Sequence, residues 1–160
     1  MLGYDTLYYR SIKDWKLLEI AQSEDRILLT RDLGLFRRAR KRGIRALFIE
    51  DPAIEKVLAQ LSVRYGVRLE FDKLDTRCPE CNTPLRYTTS PSEVPGINKF
   101  IAEKYHEFWI CPRCGKVYWQ GRHWKSIIQV LEIARSERAK LLSKLSLREK
   151  AAANLEMKIE

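Results

Sequence analysis

Two C-x-x-C pairs, Cys78/Cys81 and Cys111/Cys114, hold every cysteine of the chain and constrain its fold more than any other feature. In each pair a tight turn brings two thiolates within reach of one ion, and two such turns complete a tetrahedral four-sulfur site. The flanking sequences R-C-P-E-C-N and I-C-P-R-C-G carry Pro and polar residues suited to those turns. The 29 residues between the pairs cost little extra to close, because loop entropy rises only logarithmically with length. In a reducing compartment this spacing predicts Zn²⁺ rather than a redox dithiol or a pair of disulfides. Four sulfur ligands leave no position open for water, so the zinc is expected to be structural and not catalytic.

The rest of the chain must supply its own core. Of 160 residues, 45% are hydrophobic and 32% charged, which suits a globular protein and excludes a disordered one. No apolar run approaches the roughly 20 residues that cross a bilayer. The N-terminus has no basic, apolar and small-residue secretory pattern, so the expected compartment is the cytoplasm. Thirty Lys and Arg against 21 Asp and Glu give a formal charge of +9, which favours polyanionic partners such as nucleic acid or an anionic membrane surface.

Ahead of the cysteines the pattern alternates. Residues 4–9 (YDTLYY) read as a short strand, after a Gly3 of the kind that follows a helix end. Ile12, Trp15, Leu17, Leu18 and Ala21 form a helical stripe that Ser11 can cap. Residues 26–30 (RILLT) and 45–50 (RALFIE) read as buried parallel strands. They flank a helix over 33–42 closed by Gly43, and a further helix follows Asp51-Pro52 through about Tyr65. The expected fold is therefore α/β, a parallel sheet with helices over residues 1–72. A zinc ribbon is expected over 73–125 and a helical extension over 126–160, a segment with neither Gly nor Pro. Ile127, Ile128, Leu131, Ala134, Leu141, Leu142, Leu145 and Leu147 would give that helix a docking or self-association face rather than a membrane surface.

Two acids and a run of cations carry the functional reading. Asp32 follows a strand in the crevice where open α/β sheets bind ligands, and Asp14 begins the preceding helix on the same edge. Clustered carboxylates can hold Mg²⁺ or Mn²⁺, which activates water and stabilises a phosphodiester leaving group. The competing reading makes Asp14 a helix-start residue and Asp32 an N-cap. Arg31 precedes Asp32 directly. Arg37, Arg38, Arg40, Lys41, Arg42 and Arg45 crowd a window without an acid, suited either to phosphate contact or to a solvated helix face. Trp119, Arg122, His123 and Trp124 mix aromatics with cations, a composition that suits single-stranded nucleic acid and equally the core of a small zinc module.

The ordered set L-G-Y-D-T-L-Y, the helix bearing Asp14, R-I-L-L-T-R-D, R-C-P-E-C, F-W-I-C-P-R-C-G-K-V-Y-W and G-R-H-W resembles the Mut-seven carboxy-terminal RNase domain family over residues 1 to about 125. The resemblance implies a PIN-like nuclease fold joined to a zinc ribbon, and metal-dependent RNA cleavage. Asp32 matches the acid of the T-R-D motif, Asp14 the acid at the start of the preceding helix, and the four cysteines match the ribbon ligands. Relatives open with a strand ending in an Asp and an Arg/Leu-rich helix before the L-G-Y-D segment. Neither is present here. Either the natural protein begins upstream of Met1, which Gly3 favours, or the chain is a shortened relative. Lacking that first acid, the chain as it stands is expected to cleave RNA weakly or not at all. The alternative function is a non-catalytic RNA-binding or adaptor protein that uses the ribbon, the basic stripe and the C-terminal helix.

Overall fold

A computed structural model describes residues 2–156, with side chains through Glu149. It divides the chain into two compact units. An α/β unit contains Tyr8–Val67 and the helix residues from Glu137 onward, and a metal unit contains the residues up to Leu7 with Arg68–Ser136.

In the α/β unit, β1 (Leu28–Thr30) and β2 (Ala46–Phe48) pair in parallel, Leu28 opposite Ala46 and Thr30 opposite Phe48. Helix α2 (Leu33–Lys41) makes the crossover between them, as a parallel pair requires. Backbone bonds from Leu28 N–H to Arg45 O (2.9 Å) and from Ile49 N–H to Thr30 O (2.8 Å) extend the ladder at both ends. Leu18 and Ala21 of α1 (Asp14–Ser23), Leu35 and Ala39 of α2, and Leu28, Ile44 and Ala46 make one buried cluster. The i, i+3 and i, i+4 spacings put each helix's contribution on a single face, and the alanines let the helices approach closely. Helix α3 (Ile54–Tyr65) buries Val57, Ala59 and Ser62, and its Tyr65 hydroxyl donates to Ala46 O at 2.9 Å.

Local signals shift three expected features. Helix α1 begins at Asp14 with Lys13 at the cap position, so Ser11 does not cap it. Pro52 stands ahead of α3 and outside its first turn; Asp51 shapes that entry by accepting from Ala53 N–H at 3.0 Å. Residues 4–9 form no strand. Their aromatic content gives strand propensity, but a strand needs a ladder partner, and this segment is held at single points. Within the metal unit, Arg68 N–H donates to the Tyr4 hydroxyl at 2.7 Å, Arg77 Nε to Gly3 O at 3.0 Å, and the Asn82 amide to Asp5. Gly3 has the positive φ (79°) its residue type predicts. Here that glycine also admits Asp75, whose carbonyl oxygen would lie 2.6 Å from an added Cβ.

The metal unit is built on an antiparallel sheet ordered β3-β4-β5: Arg86–Thr88, Phe108–Ile110 and Val117–Trp119. Strand alternation divides its aromatics. Phe108 and Ile110 join Val94 in one core, covered by Ile97, Ile101, Tyr105, Val117 and Trp119. Trp109 turns to the opposite face, where it meets Phe71, Tyr87 and Trp124. The Pro/Ser/Thr-rich connection folds locally into a 3₁₀ turn (Pro91–Glu93) and α4 (Lys99–Lys104), capped by Asn98. The last helix, α5 (Arg122–Glu156), begins four residues before the expected 126; its predicted end at 157–160 lies outside the described residues. Leu131 and Ala134 are buried, and Arg135 Nη1 donates to Leu69 O at 2.9 Å.

Candidate functional site

The two C-x-x-C turns are built alike. Cys78 N–H donates to Thr83 O (2.9 Å) and Asn82 N–H to Cys78 O (2.8 Å). In the second turn Cys111 N–H donates to Lys116 O (2.9 Å) and Gly115 N–H to Cys111 O (3.0 Å). Each turn therefore needs a left-handed residue four places after its first cysteine. Asn82 (φ 61°) and Gly115 (φ 72°) fill those places, the residue types that adopt this conformation at least cost. All four sulfurs lie within 4.8 Å of one another, with Cys81 and Cys111 3.3 Å apart and Cys78 and Cys114 3.7 Å apart. Tetrahedral zinc with Zn–S bonds near 2.3 Å requires S···S separations of roughly 3.8 Å. The donor set fits structural Zn²⁺.

Electrostatics leads to the same metal. The Thr83 hydroxyl and Thr83 N–H hold the Cys81 thiol down at about 6. Burial raises Cys78, but the Tyr118 hydroxyl and nearby N–H groups outweigh it and leave that thiol below its usual range. At Cys114 the Lys116 N–H favours the thiolate, yet burial and the neighbouring sulfurs push the thiol up to about 12. Four sulfurs this close cannot all ionise without a cation among them, and a divalent ion removes that repulsion.

The carboxylates lie in the α/β unit and are exposed. Asp32 caps α2 by accepting from Leu35 N–H at 2.8 Å, while its own N–H donates to the Thr30 hydroxyl at 3.0 Å. Asp14 occupies the first turn of α1 and accepts from Arg38 Nη2 at 2.5 Å. A Cβ added at Gly34 would come 3.1 Å from Asp32 Oδ1 and 3.5 Å from Arg38 Nη1, so one guanidinium lies near both acids. Beside it opens a cleft of about 450 Å³, lined by Ile12, Lys13, Asp14, Trp15, Leu18, Arg38 and Arg42. Among the described residues no third acid or histidine gathers with Asp14 and Asp32; the cysteines form the one ligand cluster of that size.

A family model described as the Mut7-C RNAse domain matches residues 1–131. The chain belongs to the Mut7-C RNAse domain family. No curated protein and no solved structure matches it. Membership in this RNAse family points to a nuclease-like function and to RNA as its ligand class. No helix among the described residues is long and apolar enough to cross a membrane.

Within this Mut7-C chain the candidate RNA-binding residues divide by environment. Arg31, Arg37, Arg40, Lys41 and Arg42 are exposed without a carboxylate partner among the described residues, whereas Arg38 is held by Asp14 and Arg45 by Asp25. Arg122 and His123 are exposed. Trp124 packs edge-on against Phe71 (4.4 Å between centroids) and stacks on Trp109, and Trp119 packs near Tyr105. Both indoles serve the core of the metal unit. Sequence reading missed Thr83 and Tyr118, whose hydroxyls lie 3.4 Å from Cys81 Sγ and 3.2 Å from Cys78 Sγ; the two-residue offset of Thr83 from Cys81 was the available signal. It also missed Lys13 and Trp15, which precede and follow Asp14 and line the cleft.

Proposed function

We propose that this protein is a metal-dependent ribonuclease, with Asp14 and Asp32 holding Mg²⁺ or Mn²⁺ and the zinc unit serving as scaffold. One observation carries the reading: a chain of an RNAse family presents two exposed carboxylates, Asp14 lining a basic cleft and Asp32 capping α2 at the carboxyl end of a parallel strand. Mg²⁺ commonly takes only one or two protein carboxylates and completes its shell with water and substrate phosphate, so this donor set fits it. Bound there, the ion supplies an activated water and charge neutralisation at the phosphodiester. Asp32 offers its carboxylate from a rigid cap, and Arg38 must release Asp14 for that acid to become a ligand. The exposed cations of α2 hold the RNA backbone.

The test exploits the cap. Asn caps a helix about as well as Asp, so Asp32→Asn removes the charge and keeps α2, whereas Asp32→Ala also costs about 1 kcal/mol of stability. The ribonuclease reading expects Mn²⁺-dependent cleavage of single-stranded RNA that Asp32→Asn abolishes with binding largely retained. Cleavage equal in wild type and Asp32→Asn overturns it. RNA binding that ignores Asp32 and is lost with zinc would identify the adaptor instead.

A further inference from the structure

The cleft beside Asp14 has a composition that metal binding does not explain. Its polar lining is three cations, Lys13, Arg38 and Arg42, to one carboxylate, Asp14. Arg38 neutralises that carboxylate at 2.5 Å. Lys13 and Arg42 remain, and neither has a carboxylate partner among the described residues. The apolar lining is Ile12, Leu18 and Trp15. Leu18 is buried at 1% exposure and belongs to the core, but the indole of Trp15 is 61% exposed on the first turn of α1. Each other tryptophan of the chain is packed against aromatic rings. An exposed indole bordering a cleft that carries two unneutralised cations pairs an aromatic surface with an anion-binding one.

We propose that this cleft is a subsite for one nucleotide of a single strand: the base stacks on the Trp15 indole, and the adjoining phosphate lies between Lys13 and Arg42. Single strands suit this arrangement because only an unpaired base frees both faces for stacking, while cations alone would accept a duplex equally. The volume, about 450 Å³, lies within the 300–1,000 Å³ range typical of small-molecule sites, and the cleft is open to solvent, as a passing strand requires. The inference rests on the ribonuclease reading and narrows its substrate to unpaired RNA. It also assigns Arg38 a second role as a positioning residue. A phosphate entering beside Arg42 competes for its guanidinium, and Asp14 is released as the strand seats.

The experiment uses the full chain carrying Asp32→Asn, without Mg²⁺ or Mn²⁺, so that binding is read apart from cleavage. The probes are a fluorescent single-stranded oligoribonucleotide and a duplex of the same length. Single-strand affinity is expected to fall about 5- to 100-fold on Trp15→Leu, following the usual contribution of one stacked base, and to survive Trp15→Phe within a few-fold. Lys13→Ala and Arg42→Ala should each flatten the slope of log K against log salt by about 0.7, one phosphate contact on a single strand. Equal affinity for wild type, Trp15→Leu and Trp15→Phe overturns the subsite and leaves the ribonuclease reading to the cleavage assay. Equal loss in both Trp15 variants, or preference for duplex, also overturns it. Cleavage that fails while Trp15-dependent binding persists defeats the ribonuclease reading alone.

Discussion

The α/β unit and the metal unit bury comparable elements by different means. In the former, aliphatic residues from two helices and two strands close on one another, and nothing but chain is needed. In the latter, three strands of three residues each are pinned at one end by four sulfurs, two of them buried. Strands that short do not hold a sheet unaided. The difference teaches where stability is conditional: one core rests on shape, whereas the other surrounds a four-sulfur cluster that fits a structural ion, whose binding would be coupled to folding. The four sulfurs gather within 4.8 Å of one another, whereas the Asp14 and Asp32 carboxylates of the α/β unit are exposed.

The comparison can be broken most forcefully at the metal. Chelation of zinc, or Cys111→Ser, is expected to melt the antiparallel sheet, since structural zinc in small modules contributes apparent free energies of about 10–16 kcal/mol. Amide resonances of Phe108–Ile110 should collapse while those of Leu28–Thr30 persist. Simultaneous loss of both sets would show one cooperative core instead of two. Zinc affinity should also fall as pH drops, because protons compete for the thiolates.

A smaller effect is expected at Leu18, which is 1% exposed in the aliphatic cluster. Leu18→Ala should cost about 2–5 kcal/mol, read by denaturant unfolding, and leave zinc affinity unchanged. Altered zinc affinity would mean that the two cores communicate.

The smallest effect concerns Glu107, which accepts from the Tyr87 hydroxyl at 2.6 Å and from Lys73 at 3.2 Å. The Tyr87 hydrogen bond holds its carboxyl below the usual range, against burial. A lowered folded-state pKa stabilises the fold above the unfolded value of about 4.3 and is lost as pH falls toward the folded one. Glu107→Gln should therefore destabilise the zinc-loaded protein by less than about 1 kcal/mol at pH 7. Its deficit should shrink as pH falls toward the folded value, compared between wild type and variant at equal zinc occupancy. An equal deficit at every pH would assign the loss to packing.

The sequence was most legible where one residue type determines geometry. C-x-x-C spacing located the cysteine cluster, and Gly43 and the apolar run of residues 26–30 located a helix end and a parallel strand, of which only Leu28 is buried and Leu29 is exposed. Residues 4–9 misled because β propensity is a statement about a surface to lie on, and here the polar contacts of Tyr4 and Asp5 are to single points. Trp119 and Trp124 read equally as ligand platform and as core, and only tertiary contacts divide such cases. Asp32 was legible as a cap, which is observed, and a cap leaves its charge exposed for the other reading. Trp15 was counted as a core position of the α1 stripe, since helical periodicity does not reveal that a stripe's edge meets a cleft.

Gly34 contributes by what it lacks. A β-carbon there would come tight against the Asp32 carboxylate oxygen, at 3.1 Å, and into ordinary contact with the Arg38 guanidinium, at 3.5 Å, so the residue leaves the cap and the cation room beside each other. It holds no charge, donates no side-chain bond and would pass unnoticed in a scan of polar positions. Gly34 nonetheless keeps the space beside the Asp32 carboxylate free of a side chain.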